Sequence, residues 1–106
     1  MHEEITGFLV ECSREQISEH TAMVVEFLSF NAQHLQGALS SEKYLHAQEM
    51  NEKINGYQKR YKKATQKRLR TGSSVKTELF YLDLLRHIEH IGDYSLLISQ
   101  ALVQMR

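Results

Sequence analysis

No proline interrupts this sequence, and five glycines are spread over its 106 residues. Their scarcity removes the usual punctuation of sheets and long loops and favours long, uninterrupted helices. The one cysteine, Cys12, cannot close an internal disulfide. On the spacing Ile5, Phe8, Leu9, Cys12 it reads as a small buried thiol, in keeping with a reducing compartment. No apolar run approaches the ~20 residues that a membrane span needs, and no signal peptide is recognisable. The chain is therefore expected to be soluble. Thirteen Lys and Arg balance thirteen Asp and Glu, so overall charge selects neither nucleic acid nor an acidic partner. At this length the chain holds one core, and residues 1–106 form a single domain.

The charges are unevenly placed. Before Asn51, eight acids (Glu3, Glu4, Glu11, Glu15, Glu19, Glu26, Glu42 and Glu49) meet only Arg14 and Lys43. Between Lys59 and Arg70 there is no acid at all, while Lys59, Arg60, Lys62, Lys63, Lys67, Arg68 and Arg70 make that stretch strongly basic. Cations in the last turns of a helix suit the negative end of its dipole.

Periodicity divides the chain into three helices. Residues 1 to about Leu39 read as helix, with a break or a straight run both open at Ser13 to Ser18, where Ser13 and Gln16 have the capping-box spacing. Met23, Val24, Phe27, Leu28, Phe30, Leu35 and Leu39 make its apolar face. His20, Asn31 and His34 fall within that face, and the histidines there read as hydrogen-bonded core residues rather than metal ligands. Gly37 to Ser41 is the first turn, with Ser40 or Ser41 as the next N-cap. The second helix runs to about Arg70 on the seam Ala47, Met50, Ile54, Tyr57, Tyr61 and Ala64. Thr71 to Ser74 closes it, with Gly72 as the left-handed C-cap residue and Ser73 or Ser74 capping the third helix. Short turns force alternating directions, so the expected fold is an all-α, up-down-up three-helix bundle.

The third helix carries the best pattern. Tyr81, Leu84, Ile88, Ile91, Ser95, Ile98, Leu102 and Met105 recur at spacings of three and four, flanked by a second seam through Leu82, Leu85, Glu89, Gly92, Leu96, Ser99 and Val103. Two seams mean two neighbours. Glu89 replaces an apolar residue in the second seam, Asp93 follows one turn later, and Gly92 stands between them at a cost of about 1 kcal/mol relative to alanine. A partner is therefore expected to approach the backbone closely at Gly92. The carboxylates also fit ordinary ion pairs, Arg86 with Glu89 and His90 with Asp93.

Catalytic signatures are missing. There is no HExxH, no cysteine pair, no Glu-x-x-His and no phosphate-cradling glycine loop, so the standard zinc, diiron and nucleotide motifs fail. His87 points away from the Glu89 side and does not join it at one ion. The expectation is a protein that is not an enzyme.

The stretch LLRHIEHIGDYSLLISQAL resembles the third helix of a PhoU-type three-helix repeat, whose hallmark is an acidic residue, three intervening residues and an aspartate, here Glu89 to Asp93. Glu49 to Gly56 (EMNEKING), the basic run and YLDLLRHIEHIGD together are similar to the C-terminal PhoU-like domain of bacterial sodium/phosphate cotransporters. The resemblance covers the second and third helices well and the first loosely. It implies a cytoplasmic regulatory domain of phosphate uptake at the inner face of the membrane, associated with a transmembrane transporter domain. It also implies metal ligands in some members, a divalent or iron ion, which carry over to Glu89 and Asp93 and more loosely to Glu52 and Asn55. Complete PhoU proteins carry one motif in each of two repeats, and this chain has one, so a multinuclear cluster within one chain does not carry over.

Two contacts follow as expectations. Leu79 and Leu97 lie on the side of the third helix opposite Ile88 and bracket the acidic motif, which predicts a homodimer or a transporter-bound state covering them. The basic run from Lys59 to Arg70 is expected to lie against an anionic membrane surface. No nucleic-acid partner is expected.

Overall fold

A computed structural model describes the backbone of residues 2–105 and the side chains of residues 14–105. Cys12 and its apolar neighbours Ile5, Phe8 and Leu9 lie outside the described side chains. Three helices, α1 (His2–Ala32), α2 (Ser41–Arg70) and α3 (Val75–Gln104), run up, down and up, and each packs on the other two. The result is a rod of 59 × 18 × 18 Å.

The turns form where local chemistry puts them. Ser40 caps α2 by accepting from the Lys43 N–H, and Ser74 caps α3 by accepting from the Thr77 N–H. Gly72, at φ +97°, takes the left-handed position just after α2 that a side chain would disfavour. No break occurs at Ser13 to Ser18, and α1 is continuous there. Gln16 accepts a hydrogen bond from the Tyr81 hydroxyl, and Ile17 packs against both apolar clusters, so this segment is held by α3 and the core. At its other end α1 stops at Ala32, short of the expected Leu39. Leu39 instead inserts into the core from the connecting loop, and its N–H donates to the Leu102 carbonyl at 3.2 Å.

One apolar cluster joins Val24, Phe27, Ala47, Ile54 and Ile88, and a second joins Tyr61, Tyr81 and Leu85. Full burial of side chains such as Phe27, Ile54 and Leu85 is worth about 1.5–3 kcal/mol each. The buried faces are rotated from the expected seams. On α2 the innermost row is Ala47, Asn51, Ile54, Gln58, Tyr61, Thr65 and Arg68. On α3 it is Glu78, Tyr81, Leu85, Ile88, Gly92, Ser95, Ser99 and Leu102, leaving Ile91, Ile98 and Met105 exposed. Small and polar residues let the helices approach, and the larger aliphatics turn outward.

Polar groups in this core are tied together across helices. Asn31 donates to the Ser95 carbonyl and hydroxyl, both at 2.8 Å, and accepts from the Ser99 hydroxyl at 2.6 Å. Arg68 grips Glu78 through two bonds of 2.7 and 2.9 Å, while Ser73 donates to the same carboxylate. His20 is fully buried in α1, as its position on the apolar face predicts, and its Nε2 lies 3.0 Å from the Ile54 carbonyl. Burial lowers the His20 pKa, partly offset by that bond and by the Glu89 charge. His34, part-buried, bonds the carbonyl of Phe30 in its own helix.

Candidate functional site

The acidic step of α3 sits on the edge that meets α2. Gly92 is buried there, and a Cβ at that position would stand 3.4 Å from both Asn51 Oδ1 and Ile54 Cγ2. The expected close approach is thus made by α2 itself: alanine would just touch, and a larger side chain would be driven into Ile54. One turn earlier, half-buried Glu89 accepts a hydrogen bond from the Gln58 side-chain amide. Asp93 is exposed.

Across the seam, α2 presents amide oxygens. Asn51 Oδ1 and Asn55 Oδ1 are buried and have no hydrogen-bond partner. Such groups are costly unless something donates to them or binds them. With Gln58 on Glu89 and Asn51 on Gly92, the antiparallel register brings Asn55 level with the step from Glu89 to Asp93. Of the four residues singled out from the sequence, Glu89 and Asn55 lie on this seam, Asp93 is exposed one turn beyond Glu89, and Glu52 is exposed on the outer side of α2. Sequence pattern did not mark Asn51 or Gln58. The available signal was two further amides, at Asn51 and Gln58, beside the seam that Ile54 defines.

The ordinary ion pairs expected at this step do not form. Arg86 pairs with Asp83 at the preceding turn, Glu89 is taken by Gln58, and His87 leans to Asp83 at 3.4 Å. The orientation of His87 away from Glu89 is as expected. No group of three or more His, Cys, Asp or Glu side chains able to hold a metal gathers among the described residues.

The residues present nevertheless fit a single hard cation better than a soft one. Glu89 and Asp93 offer carboxylates and Asn51 and Asn55 unpartnered amide oxygens, and such oxygen donors would suit magnesium, calcium or manganese rather than zinc or iron, although Asp93 is exposed and Glu89 is held by Gln58. Beside this step runs a shallow, open groove of about 500 Å³ lined by residues including Gln58, Lys62, Leu82, Arg86, Glu89 and His90. It has the shape of a surface furrow.

The outside of α3 carries two apolar stripes. Leu79 and Leu97 are exposed, as expected. Beside them, Phe80, Ile91, Tyr94, Ile98 and Met105 form a second stripe, in which Phe80 and Tyr94 are 69% and 66% exposed. Among the described residues no helix is long and apolar enough to cross a membrane. Comparison with family models, with curated proteins and with solved structures finds no match for this chain.

Proposed function

We propose that this chain is a non-enzymatic regulatory and interaction domain that works beside a sodium-dependent phosphate transporter and modulates phosphate uptake at the cytoplasmic face of the membrane. The observation that supports the reading is the packing of the acidic step: Glu89 and Gly92, residues of the PhoU-like resemblance, lie on the seam with α2, with Asp93 exposed one turn beyond Glu89. The test is phosphate uptake by a sodium/phosphate cotransporter deprived of its own C-terminal domain. Supplying this chain is expected to restore control of uptake, and Glu89→Gln with Asp93→Asn is expected to lose it while the helical content stays unchanged. Identical uptake with and without the chain sinks the proposal.

A second reading, a metal-binding bundle, is favoured by the orphaned oxygens of Asn51 and Asn55. Here Glu89 and Asp93 would supply charge, and the two amides would complete an oxygen shell around one divalent ion. Elemental analysis of protein purified without chelator is expected to show about one divalent ion per chain, lost in the Glu89→Gln, Asp93→Asn double variant. Metal-free protein that takes up none of magnesium, calcium or manganese ends this reading.

The apolar outside of α3 fits a second copy of the chain. The second stripe repeats at helical spacing over most of α3, so a two-fold axis near Ile91 would lay it against itself. Five side chains offering on the order of 100 Å² each, together with Leu79 and Leu97, approach the ~800 Å² per partner of an ordinary interface. Sedimentation equilibrium is expected to show a dimer in the micromolar range that Tyr94→Lys with Ile98→Lys dissociates at least tenfold more readily. A wild-type monomer at millimolar concentration, with divalent metal present, leaves this face to the transporter body instead.

A further inference from the structure

The outer face of α2 carries a row that the acidic step and the apolar stripes do not explain. Lys53, Gly56, Arg60, Lys63, Lys67 and Arg70 recur at spacings of three and four, all are exposed, and they run along the side opposite the buried row from Ala47 to Arg68. Arg68 leaves the basic run, because its guanidinium is committed to Glu78. The others have no acidic partner among the described residues. From Lys53 to Arg70 the row is straight and about 25 Å long.

A second observation concerns Gly56. It lies in mid-helix, where glycine is unfavourable, yet nothing stands within 4 Å of where its Cβ would be. Helix packing does not require it. It opens the floor of a shallow surface trough whose walls include Lys53, Lys59, Arg60, Lys63 and Lys67, with the small Ala64 one step further along. Cations on long stems around a small-residue floor can bend over phosphate-bearing groups from both sides.

We infer that the outer face of α2 is a docking surface for anionic phospholipid headgroups, on which the rod lies flat. The row is linear and the molecule is narrow, so a plane of charge meets every cation at once. Lysine predominates, and a point charge on a flexible stem suits mobile headgroups more than fixed geometry. From Lys53 to Arg70 the face carries no exposed large apolar side chain, and the exposed Leu45 stands two turns before the row, so contact along the row is electrostatic, without insertion. Nucleic acid is disfavoured because Tyr57, the aromatic beside the row, is half-buried with Arg60 stacked on it at 5.1 Å, and so offers no free ring to a base. This inference does not depend on the transporter reading, since it needs only the basic row.

Co-sedimentation with vesicles tests it, comparing phosphatidylcholine alone with phosphatidylcholine containing phosphatidylserine. Binding is expected only to the anionic vesicles, and it should fall steeply as salt is raised. Each cation lost near the surface weakens association about fivefold, so Arg60→Glu with Lys63→Glu should weaken it at least about 25-fold. Lys43→Glu with Lys76→Glu, which changes net charge equally away from the row, should leave most of it. Circular dichroism confirms that both exposed double variants remain helical. Equal binding to both vesicle types, binding to neither, equal loss in both double variants, or tighter binding to duplex DNA than to anionic vesicles at the same salt would each overturn the inference.

Discussion

Replacing Glu78 with alanine should destabilise the bundle by about 3–5 kcal/mol, because it leaves the Arg68 guanidinium buried beside Tyr81 without its carboxylate. Burial by itself would raise the Glu78 pKa, and the bonds from Arg68 and Ser73 outweigh it, holding the carboxyl below its ordinary value. The bond to Glu78 likewise raises the Arg68 pKa, and burial pushes the Tyr81 hydroxyl up to about 12. A depressed carboxyl pKa contributes stability that is fully present above the unfolded-state value of about 4.3 and is lost as pH falls through the folded one. Urea denaturation at neutral pH and again near pH 3 reads both effects. The apolar pair Glu78→Leu with Arg68→Met should recover most of the loss at neutral pH, since no lone charge remains. A single-variant loss below about 1 kcal/mol would mean that the pair behaves as a solvated surface bridge.

Asn31 is the second point at which a single change should be felt strongly. Its amide satisfies the Ser95 and Ser99 hydroxyls together, so Asn31→Leu should cost about 2–4 kcal/mol in lost bonds and stranded polar atoms. Asn31→Asp should cost more at neutral pH, because a carboxylate cannot donate to the Ser95 carbonyl and would be buried without a cation. Ser99→Ala should cost least, about 1 kcal/mol, since it leaves both Asn31 bonds to Ser95 in place. Urea midpoints in the order Asp, Leu, Ala from least to most stable check the scheme. An aspartate variant as stable as wild type would show that water reaches the site.

Three helices and their joints were legible because capping is local: Ser40, Gly72 and Ser74 do their work within a few residues of sequence. The rotation of the buried faces was not. Apolar spacing puts Ile91 and Ile98 in the main seam and Gly92 and Ser99 in the flanking one, whereas the buried row runs between the two and keeps the small residues that admit a neighbouring backbone. Arg68 was lost in the basic run from Lys59 to Arg70, and nothing in the sequence singled out Glu78. Their pairing joins two helices across a turn, and no helical periodicity encodes it. At the candidate site the sequence marked Glu89, Gly92 and Asp93, because a carboxylate and a glycine break an apolar seam. Gln58 and Asn51 stayed unmarked, since an amide on α2 acquires its meaning only from the register with α3.

Among the described side chains, the two turns of the rod are closed by opposite chemistry, and this sets where it opens. At the α2–α3 turn the closure is ionic, Arg68 against Glu78, with the Ser73 N–H also returning to the Arg68 carbonyl at 3.0 Å. At the far end it is apolar, with the Leu39 side chain buried and its N–H on Leu102. Acid therefore unties the first end and leaves the second intact, so amide exchange would begin around residues 69–78. Cooling weakens apolar burial more than ion pairing, so it would release the amide of Leu39 first. The same bundle thus frays from opposite poles under the two stresses, with the Asn31 knot holding α1 to α3 in both.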